Sequence, residues 1–323
     1  MWRAIKKPAA ILLVVCAVSV TEPLNAAVAN KLDSLVMQDD LADPIEQINP
    51  IEPLESLSIQ WAVTDSPPFY VLHGEYQRRG ICDVLTRVVH RYLPQQKASY
   101  LQMPQPRIAQ ALDNKESVCF PCMIHKPAGD DRALYSLPTH LYHPHHIITN
   151  ETTARTLQAL YGHPVSLEKL LGDTRFRLGY PVGRRYGLLQ PLLNEHDPYL
   201  ARAGSGGEVA ILHMISSGRL DYTIDYPIVA NYFERLYNRS MVTLEIAENK
   251  QQSVEGAIGC ANNAWGKSKV SEINRVITKI RQDPELLEVL QLWHSGDDNK
   301  HNDYDFINKQ WQQKLNNNTA DNQ

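Results

Sequence analysis

The chain has 323 residues, with 32 Lys and Arg against 36 Asp and Glu, so its formal net charge at pH 7 is −4. A charge this small and negative offers no basic field to a nucleic acid or an acidic lipid surface, and we expect neither as a partner. The length is enough for two lobes of about 100 to 150 residues each.

The N-terminus predicts an export signal. Basic residues precede an apolar run, 9–20, and small residues follow up to Ala29. This is the pattern of a cleaved signal peptide over residues 1–29, and the run is shorter than the ~20 residues of a spanning helix, which disfavours an uncleaved anchor. We therefore expect a soluble exported protein.

Two polar segments flank the body of the chain. Residues 30–56 are acidic, contain prolines and show little periodicity, which indicates a flexible linker. Residues 296–323 are equally polar, and we expect a frayed tail there.

Residues 57–149 predict a first lobe with a β-α-β-α-β run. In chain order its elements are strand 57–63, a helical stripe between 81 and 93, strand 98–103, a helix containing 108–112, and strand 118–124.

The alternation begins again in a second lobe, 150–253, and the segment 254–295 returns to the first. In chain order the elements are strand 176–182, helix 188–193, strand 199–203, helix 208–217, strand 220–225, strand 254–260, helical stripe 273–280 and helix 284–293. Such alternation is typical of an α/β fold with mainly parallel sheets flanked by helices. The predicted fold class is α/β and two-lobed, with a hinge made by two crossovers.

Four cysteines remain after signal removal: Cys82, Cys119, Cys122 and Cys260. An oxidising compartment favours disulfides, and four cysteines allow three connectivities that the sequence does not rank. The Cys119-x-x-Cys122 pair continues a strand-like run and does not open a helix, which disfavours a redox or zinc site.

Three strings mark the ends of strand-like runs or the point where a helix gives way to a strand. They are 64–69 (TDSPPF), 136–138 (SLP) and 218–225 (GRLDYTID). In open α/β sheets the ligand crevice lies at the carboxyl ends of the strands. The strings therefore predict a ligand cleft between the two lobes.

The chain resembles the family 3 extracellular solute-binding proteins. The resemblance is carried by these three strings, by the Pro106-Arg107 step and by the closing Gly259-Cys260 segment. Members of this family are two-lobed periplasmic receptors with the type II binding-protein fold. The resemblance covers about residues 57–295. It is greater to an uncharacterised branch of this superfamily than to its classical amino-acid receptors.

The resemblance implies that the cleft is lined by Asp65, Phe69, Tyr70, Ser136 and Asp225. Each has an alternative structural role. Asp65 is a good turn former by itself, and Phe69 and Tyr70 could simply belong to the core. Asp225 ends an apolar run and needs a partner there, which favours a functional role.

The anion-binding part of the site departs from the family pattern. Amino-acid receptors carry a carboxylate-clamping arginine seven residues before the serine, and this chain has Gly129 there. Arg132 and Arg107 are candidate replacements, and Arg184 stands in the turn where receptors bind an anion at a helix N-terminus. The family pairing of strands also implies a disulfide between Cys119 and Cys260.

A histidine-rich segment, 140–146, is the competing signal. His143 and His145 would face the same side of an extended strand and are weak candidates for a zinc or copper site. Pro144 interrupts them and no acid or thiolate stands at metal spacing nearby, so solvated hinge histidines are favoured.

The expected function is capture of a small polar solute, amino-acid-like or a related organic molecule, by closure of the lobes. The closed form would be read by a membrane transporter or sensor. We expect a monomer with no cofactor and no catalytic residues. The alternatives are a periplasmic enzyme on the same fold and metal capture by the histidine segment.

Overall fold

The computed structural model of the chain describes residues 58–196, 201–202, 207–249, 253–295 and 303–320. All of them belong to the larger of two units into which the chain divides, Glu52–Gln323. The predicted signal peptide, 1–29, and linker, 30–56, lie outside the described residues. In the part of the chain that the structure describes, no helix is long and apolar enough to cross a membrane.

Strands and helices alternate along the chain, which passes twice between two sheets. Before the first passage the elements are β1 (Ser58–Val63), α1 (Ile81–Tyr92), β2 (Lys97–Gln102), α2 (Gln105–Asp113), β3 (Cys119–Ile124), β4 (Ala133–Tyr135) and β5 (His140–Tyr142). Between the two passages they are β6 (His146–Thr149), α3 (Glu151–Tyr161), α4 (Leu167–Leu171), β7 (Tyr180–Pro181), a 3₁₀ turn (Gly187–Leu189), α5 (Gln190–His196), β8 (Ala201–Arg202), α6 (Gly207–Ser216), β9 (Tyr222–Asp225), α7 (Pro227–Tyr237) and β10 (Val242–Glu245). After the second passage they are β11 (Val254–Ala261), α8 (Ala264–Arg275), α9 (Ile277–Arg281), α10 (Pro284–His294) and α11 (Asp303–Ala320).

The first sheet has the strand order β2-β1-β3-β11-β4, and β5 also pairs with β11. β1 is parallel to β2 and β3, whereas β11 is antiparallel to β3, β4 and β5. The strand that returns from the second lobe therefore runs against the others.

The second lobe repeats this arrangement. β6 lies between β9 and β10 and is antiparallel to both. Leu178 forms a parallel bridge with Tyr222 of β9, and β7 is parallel to β8. Among the described strands of this lobe, only β6, which enters from the first lobe, runs against the common direction. Each sheet is thus mainly parallel in direction with one reversed strand.

The position of β6 corrects the predicted lobe boundary. His146–Thr149 belongs to the second sheet, so the chain passes between the lobes after Tyr142 and not after residue 149. Pro144 lies in this passage, and a residue without an N–H marks such a break. The second passage runs from Glu245 to Val254, and part of it lies outside the described residues.

β6 is buried on both faces. Ile147 packs in the core of the second lobe, with Leu157 and Ile224. Ile148 faces the opposite side and packs in the larger core, which includes Phe233. Because successive side chains of a strand alternate, one short strand links the two cores.

Two disulfides join β3 to its neighbours. Cys119 of β3 is bonded to Cys260 of β11, which is the pairing that the resemblance implies. Cys82 of α1 is bonded to Cys122 at the other end of the same Cys-x-x-Cys pair. Neither cysteine of that pair is therefore available as a dithiol.

Helix α11 occupies much of the predicted polar tail and corrects that prediction. Its residues Ile307 and Trp311 are buried against Leu141 of β5. Spacing of four residues places Ile307, Trp311 and Leu315 on one helical face. This stripe is narrow, and the many polar residues around it hide the helix from a composition-based prediction.

Candidate ligand site between the two lobes

A cavity of about 820 Å³ lies between the lobes. The first lobe contributes to its wall from the 64–70 turn, α2 and β3, and the second lobe contributes residues from 183–190 and Tyr226. Its apolar wall is formed by Phe69, Ile108, Leu112, Phe120, Met123 and Ile124. The volume lies in the range of small-molecule sites, about 300–1,000 Å³.

Arg184, which lines this cavity, is paired with two buried acids behind it, and we call Arg184, Glu208 and Asp225 the charged cluster. Nη1 of Arg184 donates to Oε1 of Glu208 at 3.1 Å, and Nη2 donates to Oδ1 of Asp225. The arginine side chain is 6% exposed and its partners are less so. One guanidinium therefore serves two carboxylates away from solvent.

Each member of the cluster is placed by the end of an element. Arg184 follows β7 in a turn where Gly183 has φ +84, and a Cβ there would stand 3.1 Å from Pro106. Glu208 lies in the first turn of α6, where the helix dipole favours an acid. Asp225 ends β9 and accepts the backbone N–H of Tyr226 at 2.7 Å.

Aromatic rings enclose the guanidinium. The Cζ atom of Arg184 lies 5.2 Å from the ring centroid of Phe69 and 5.6 Å from that of Tyr226. A guanidinium within about 6 Å of an aromatic face is attracted by the ring quadrupole. Phe69 belongs to the first lobe and Tyr226 to the second, so the cation lies against both.

A hydrogen bond also links the lobes at this point. Oγ of Ser66 donates to Oε1 of Glu208 at 2.8 Å, and both side chains are buried. Ser66 is held by reciprocal backbone hydrogen bonds with Tyr70, at 3.2 and 3.0 Å. The 64–70 turn is thereby fixed with its hydroxyl on the charged cluster.

The pKa values in the charged cluster are shifted because two buried acids share one arginine. Burial raises the pKa of Asp225 to about 7, because Arg184 offsets only part of the desolvation and the negative charge of Glu208 adds to it. Burial alone would lower the pKa of Arg184, but Asp225 and Glu208 keep it above its ordinary value. The guanidinium remains charged while Asp225 titrates near neutrality.

A second buried group adjoins the first at the passages between the lobes. We call His140, Tyr142, His145, Tyr186 and His294 the hinge cluster. The rings of His140 and Tyr142 are 4.5 Å apart, and those of His145 and Tyr186 are 5.3 Å apart, centroid to centroid. Each member carries a buried side-chain N or O that has no hydrogen-bond partner among the described residues.

Burial keeps the hinge cluster uncharged. It lowers the pKa of His140 and of His294 to about 3, and it lowers the pKa of His145 well below the ordinary value. It raises the pKa of Tyr142 and Tyr186 well above theirs.

Several residues predicted from the sequence meet at this site. Phe69, Tyr70, Arg132 and Arg184 line the cavity, and Asp225 lies behind Arg184. The fork of Arg132 is already paired with Asp113, at 2.6 and 2.9 Å. Tyr70 donates its hydroxyl to the first lobe's own backbone, so its ring is the part that faces the cavity.

Three predicted residues lie elsewhere, and these predictions are corrected. Asp65 is half-buried and does not line the cavity, because the turn directs the neighbouring Ser66 inward instead. Arg107 is exposed and pairs with Glu116 at 3.1 Å. Ser136 is fully buried and binds the backbone of β11, where its Oγ accepts the N–H of Ile258 at 3.0 Å.

Ser66 and Glu208 are not among the ligand-binding residues predicted from the sequence. Glu208 is the only acid in the first turn of α6, and at a helix N-terminus an acid has a sufficient structural reason. Ser66 stands beside Asp65, and the turn's direction decides which of the two faces inward. The available signal was the position of both residues at strand or helix ends.

The two histidines considered as metal ligands face different neighbours. His145 stacks on Tyr226 at 4.1 Å, and His143 stacks on Phe306 of α11 at 5.7 Å. Within the described ranges, no group of three or more His, Cys, Asp or Glu side chains is placed to hold a metal ion.

Solved structures of similar fold identify the fold class of this chain. An arginine-specific periplasmic binding protein of Salmonella typhimurium aligns over 74% of this chain and 99% of its own, with 11% identity and a TM-score of 0.56. An ABC uptake transporter substrate-binding protein of Streptococcus pneumoniae with bound histidine aligns over 74% and 93%, with 14% identity and a TM-score of 0.54. The chain has the two-lobed fold of periplasmic binding proteins.

A third neighbour is an ancestral amino acid-binding protein, a precursor of cyclohexadienyl dehydratase. It aligns over 75% of this chain and 97% of its own, with 14% identity and a TM-score of 0.56. By sequence, no family model and no curated protein matches the chain. Identities this low show the fold and leave the ligand to the residues of the site.

Proposed function

We propose that the protein captures a small solute in the cavity between its lobes. The observation that carries this proposal is the cavity itself, about 820 Å³ in volume, whose wall comes from both lobes. A site divided between two lobes is completed when they close, and binding then favours the closed form.

The ligand of this proposal is amino-acid-like or a related organic molecule, with an apolar part. The apolar wall of α2 and β3 would contact that part, and charged residues that line the cavity, such as Arg184 and Arg185, would contact its polar groups. A plain amino acid bound as in the amino-acid receptors is disfavoured. The position of their clamping arginine is Gly129, Arg132 is already paired with Asp113, and Asp225 is paired with Arg184.

The proposal places the protein in the periplasm, where a membrane transporter or sensor reads the closed form. Its support is the predicted signal peptide, the two disulfides and the fold. Disulfides persist in oxidising compartments and are rare in the cytosol.

A binding protein is favoured over an enzyme on the same fold. Catalysis of proton transfer needs an acid or base within hydrogen-bond reach of the substrate. The carboxylates of Asp225 and Glu208 are already engaged, since Arg184 binds both of them and Ser66 donates a hydrogen bond to Glu208.

Thermal unfolding against a panel of solutes tests this function. The protein, expressed from its full sequence, is heated with amino acids, polyamines, organic acids, short peptides and nucleosides. A solute at 100 times its Kd adds about 2.7 kcal/mol, which raises the Tm by several degrees in a protein of this size. The proposal fails if no member of the panel raises the Tm.

A cavity-filling variant makes the test specific to this site. Ala109→Trp inserts an indole from α2 into the cavity and should abolish the shift. Ala98→Trp, on an exposed position of β2, is the matched control and should keep it. Equal shifts in both variants would place the solute elsewhere.

A further inference from the structure

The charged cluster resembles a binding site that already holds a cation. The guanidinium of Arg184 meets two carboxylates, from α6 and the end of β9, and two aromatic faces, one from each lobe. These are the partners that a cationic group of a solute would need in a desolvated site.

The cation in this position belongs to the chain itself. Arg184 leaves a turn fixed by Gly183, and its side chain is almost fully buried. The next residue, Arg185, is exposed, lines the same cavity and makes no hydrogen bond or ion pair to the described residues. Two consecutive arginines therefore take opposite roles, one filling the subsite and the other facing the open cavity.

We propose that Arg184 is a specificity-determining residue that fills a cation subsite of the cleft from within and so excludes solutes whose cationic group requires that subsite. This inference rests on the proposed solute-binding function. The solutes that remain place an uncharged or anionic group next to Arg184, since a second cation there would be repelled by the guanidinium and would find both carboxylates taken.

The subsite also includes a contact that reports lobe closure. Phe69 and Ser66 of the first lobe touch Arg184 and Glu208 of the second. A cation bound in place of the Arg184 side chain would keep these contacts. Removing Arg184 should thus convert the cleft into a receptor for guanidinium groups.

The test compares the Tm of wild type and Arg184→Ala in guanidinium chloride at millimolar, non-denaturing concentrations, with potassium chloride at equal ionic strength as reference. Guanidinium should raise the Tm of the variant by several degrees and leave that of the wild type unchanged. Arg177→Ala, which removes an exposed arginine paired with Asp221, is the matched control and should not respond. No response of Arg184→Ala, or equal responses of all three proteins, overturns the inference.

A double variant covers the case in which Arg184→Ala does not fold alone. Arg184→Ala with Glu208→Gln removes one of the two carboxyl groups that Arg184 pairs with, together with the cation. The double variant should fold. Guanidinium should raise its Tm by less than it raises the Tm of Arg184→Ala that has been refolded with guanidinium present. Failure of both proteins to respond, by Tm or by recovery of native circular dichroism, contradicts the inference.

The outcomes separate this inference from the proposed function. If wild type binds a solute from the panel but Arg184→Ala ignores guanidinium, the inference is wrong and solute capture stands. If Arg184→Ala takes guanidinium but no solute binds the wild type, the subsite stands and solute capture fails. Agmatine, which carries a guanidinium on an apolar chain, should bind Arg184→Ala at least tenfold more tightly than wild type.

Discussion

The charged cluster and the hinge cluster are both buried and both meet Tyr226, but they solve the burial of polar groups in opposite ways. The charged cluster keeps the guanidinium of Arg184 charged and pairs it with both carboxyl groups. The hinge cluster keeps its groups neutral and leaves polar atoms without partners among the described residues. A paired charge is costly to remove singly, whereas an unpaired neutral group costs stability while it is present.

Removing the Arg184 guanidinium should produce the largest change in stability in either cluster. Arg184→Leu leaves Glu208 and Asp225 buried without a counter-charge, which should cost about 3–5 kcal/mol of unfolding free energy. Urea unfolding at mildly alkaline pH, where Asp225 is ionised, measures it. Arg185→Leu, at the exposed neighbouring position, should stay within about 0.5 kcal/mol of wild type. Equal losses would mean that the pairing of Arg184 does not stabilise the fold.

The Ser66–Glu208 hydrogen bond between the lobes should contribute less to the unfolding free energy than Arg184 does. Ser66→Ala removes a donor to the buried carboxylate of Glu208, and a hydrogen bond to a charged group is worth about 1.5–3 kcal/mol. Ser268→Ala removes a similar bond to Glu272 at the surface and is the control. In urea unfolding Ser66→Ala should lose more stability than the control by at least about 1 kcal/mol, the net worth of an ordinary hydrogen bond. Indistinguishable variants would show that Ser66 is not needed to hold the lobes together.

In the hinge cluster, an apolar substitution should stabilise the protein. Both ring nitrogens of His294 are buried and find no partner in the described part of the chain, and an unsatisfied group costs about 1–3 kcal/mol. His294→Phe keeps a ring of similar shape and should gain stability by up to this amount at neutral pH. His213→Phe, on a half-buried ring that packs against Phe233, should change little. A loss in His294→Phe would indicate that its nitrogens are satisfied in solution, for example by water.

The two clusters should also respond to pH in opposite directions. His140 and His294 have a pKa of about 3 in the folded protein, against about 6.5 in the unfolded chain. Between these values the unfolded state holds more protons, so falling pH destabilises by up to about 1.4 kcal/mol per pH unit for each histidine.

Asp225 should have the opposite effect on the pH dependence of stability. Its pKa is about 7 when folded and about 3.9 when unfolded, so in that window the folded state holds the extra proton. Its contribution to stability therefore grows as pH falls and is lost as pH rises through about 7. Unfolding free energies measured across this window should fall less steeply towards acid in His294→Phe than in wild type. They should fall more steeply in Asp225→Asn, and parallel curves for all three proteins would contradict both assignments.

The sequence predicted the fold better than the site because strand ends are visible in a pattern and side-chain directions are not. Apolar runs and the alternation of elements located most strands, and the family pattern led to Asp225, Phe69 and Arg184. Whether Asp65 or Ser66 faces the cleft depends on one turn. That choice is made by packing against the second lobe, which leaves no trace in the local sequence.

The missed features share another cause, which is that each has a sufficient local explanation. Glu208 suits any helix N-terminus, and the 303–320 segment is polar enough to be disordered. The buried stripe of α11 becomes meaningful only when Leu141 is placed beneath it. Similarly, the sequence predicts a crossover at β6 because the strands that pair with it, β9 and β10, come much later in the chain.

The Cys119–Cys260 disulfide encloses the whole second lobe, since 141 positions separate its two cysteines. The second lobe is therefore a closed covalent loop set into the first. A protease that cuts the backbone once inside this loop cannot release a fragment. The nicked protein should migrate as one species on a non-reducing gel and separate into two pieces only after a thiol is added.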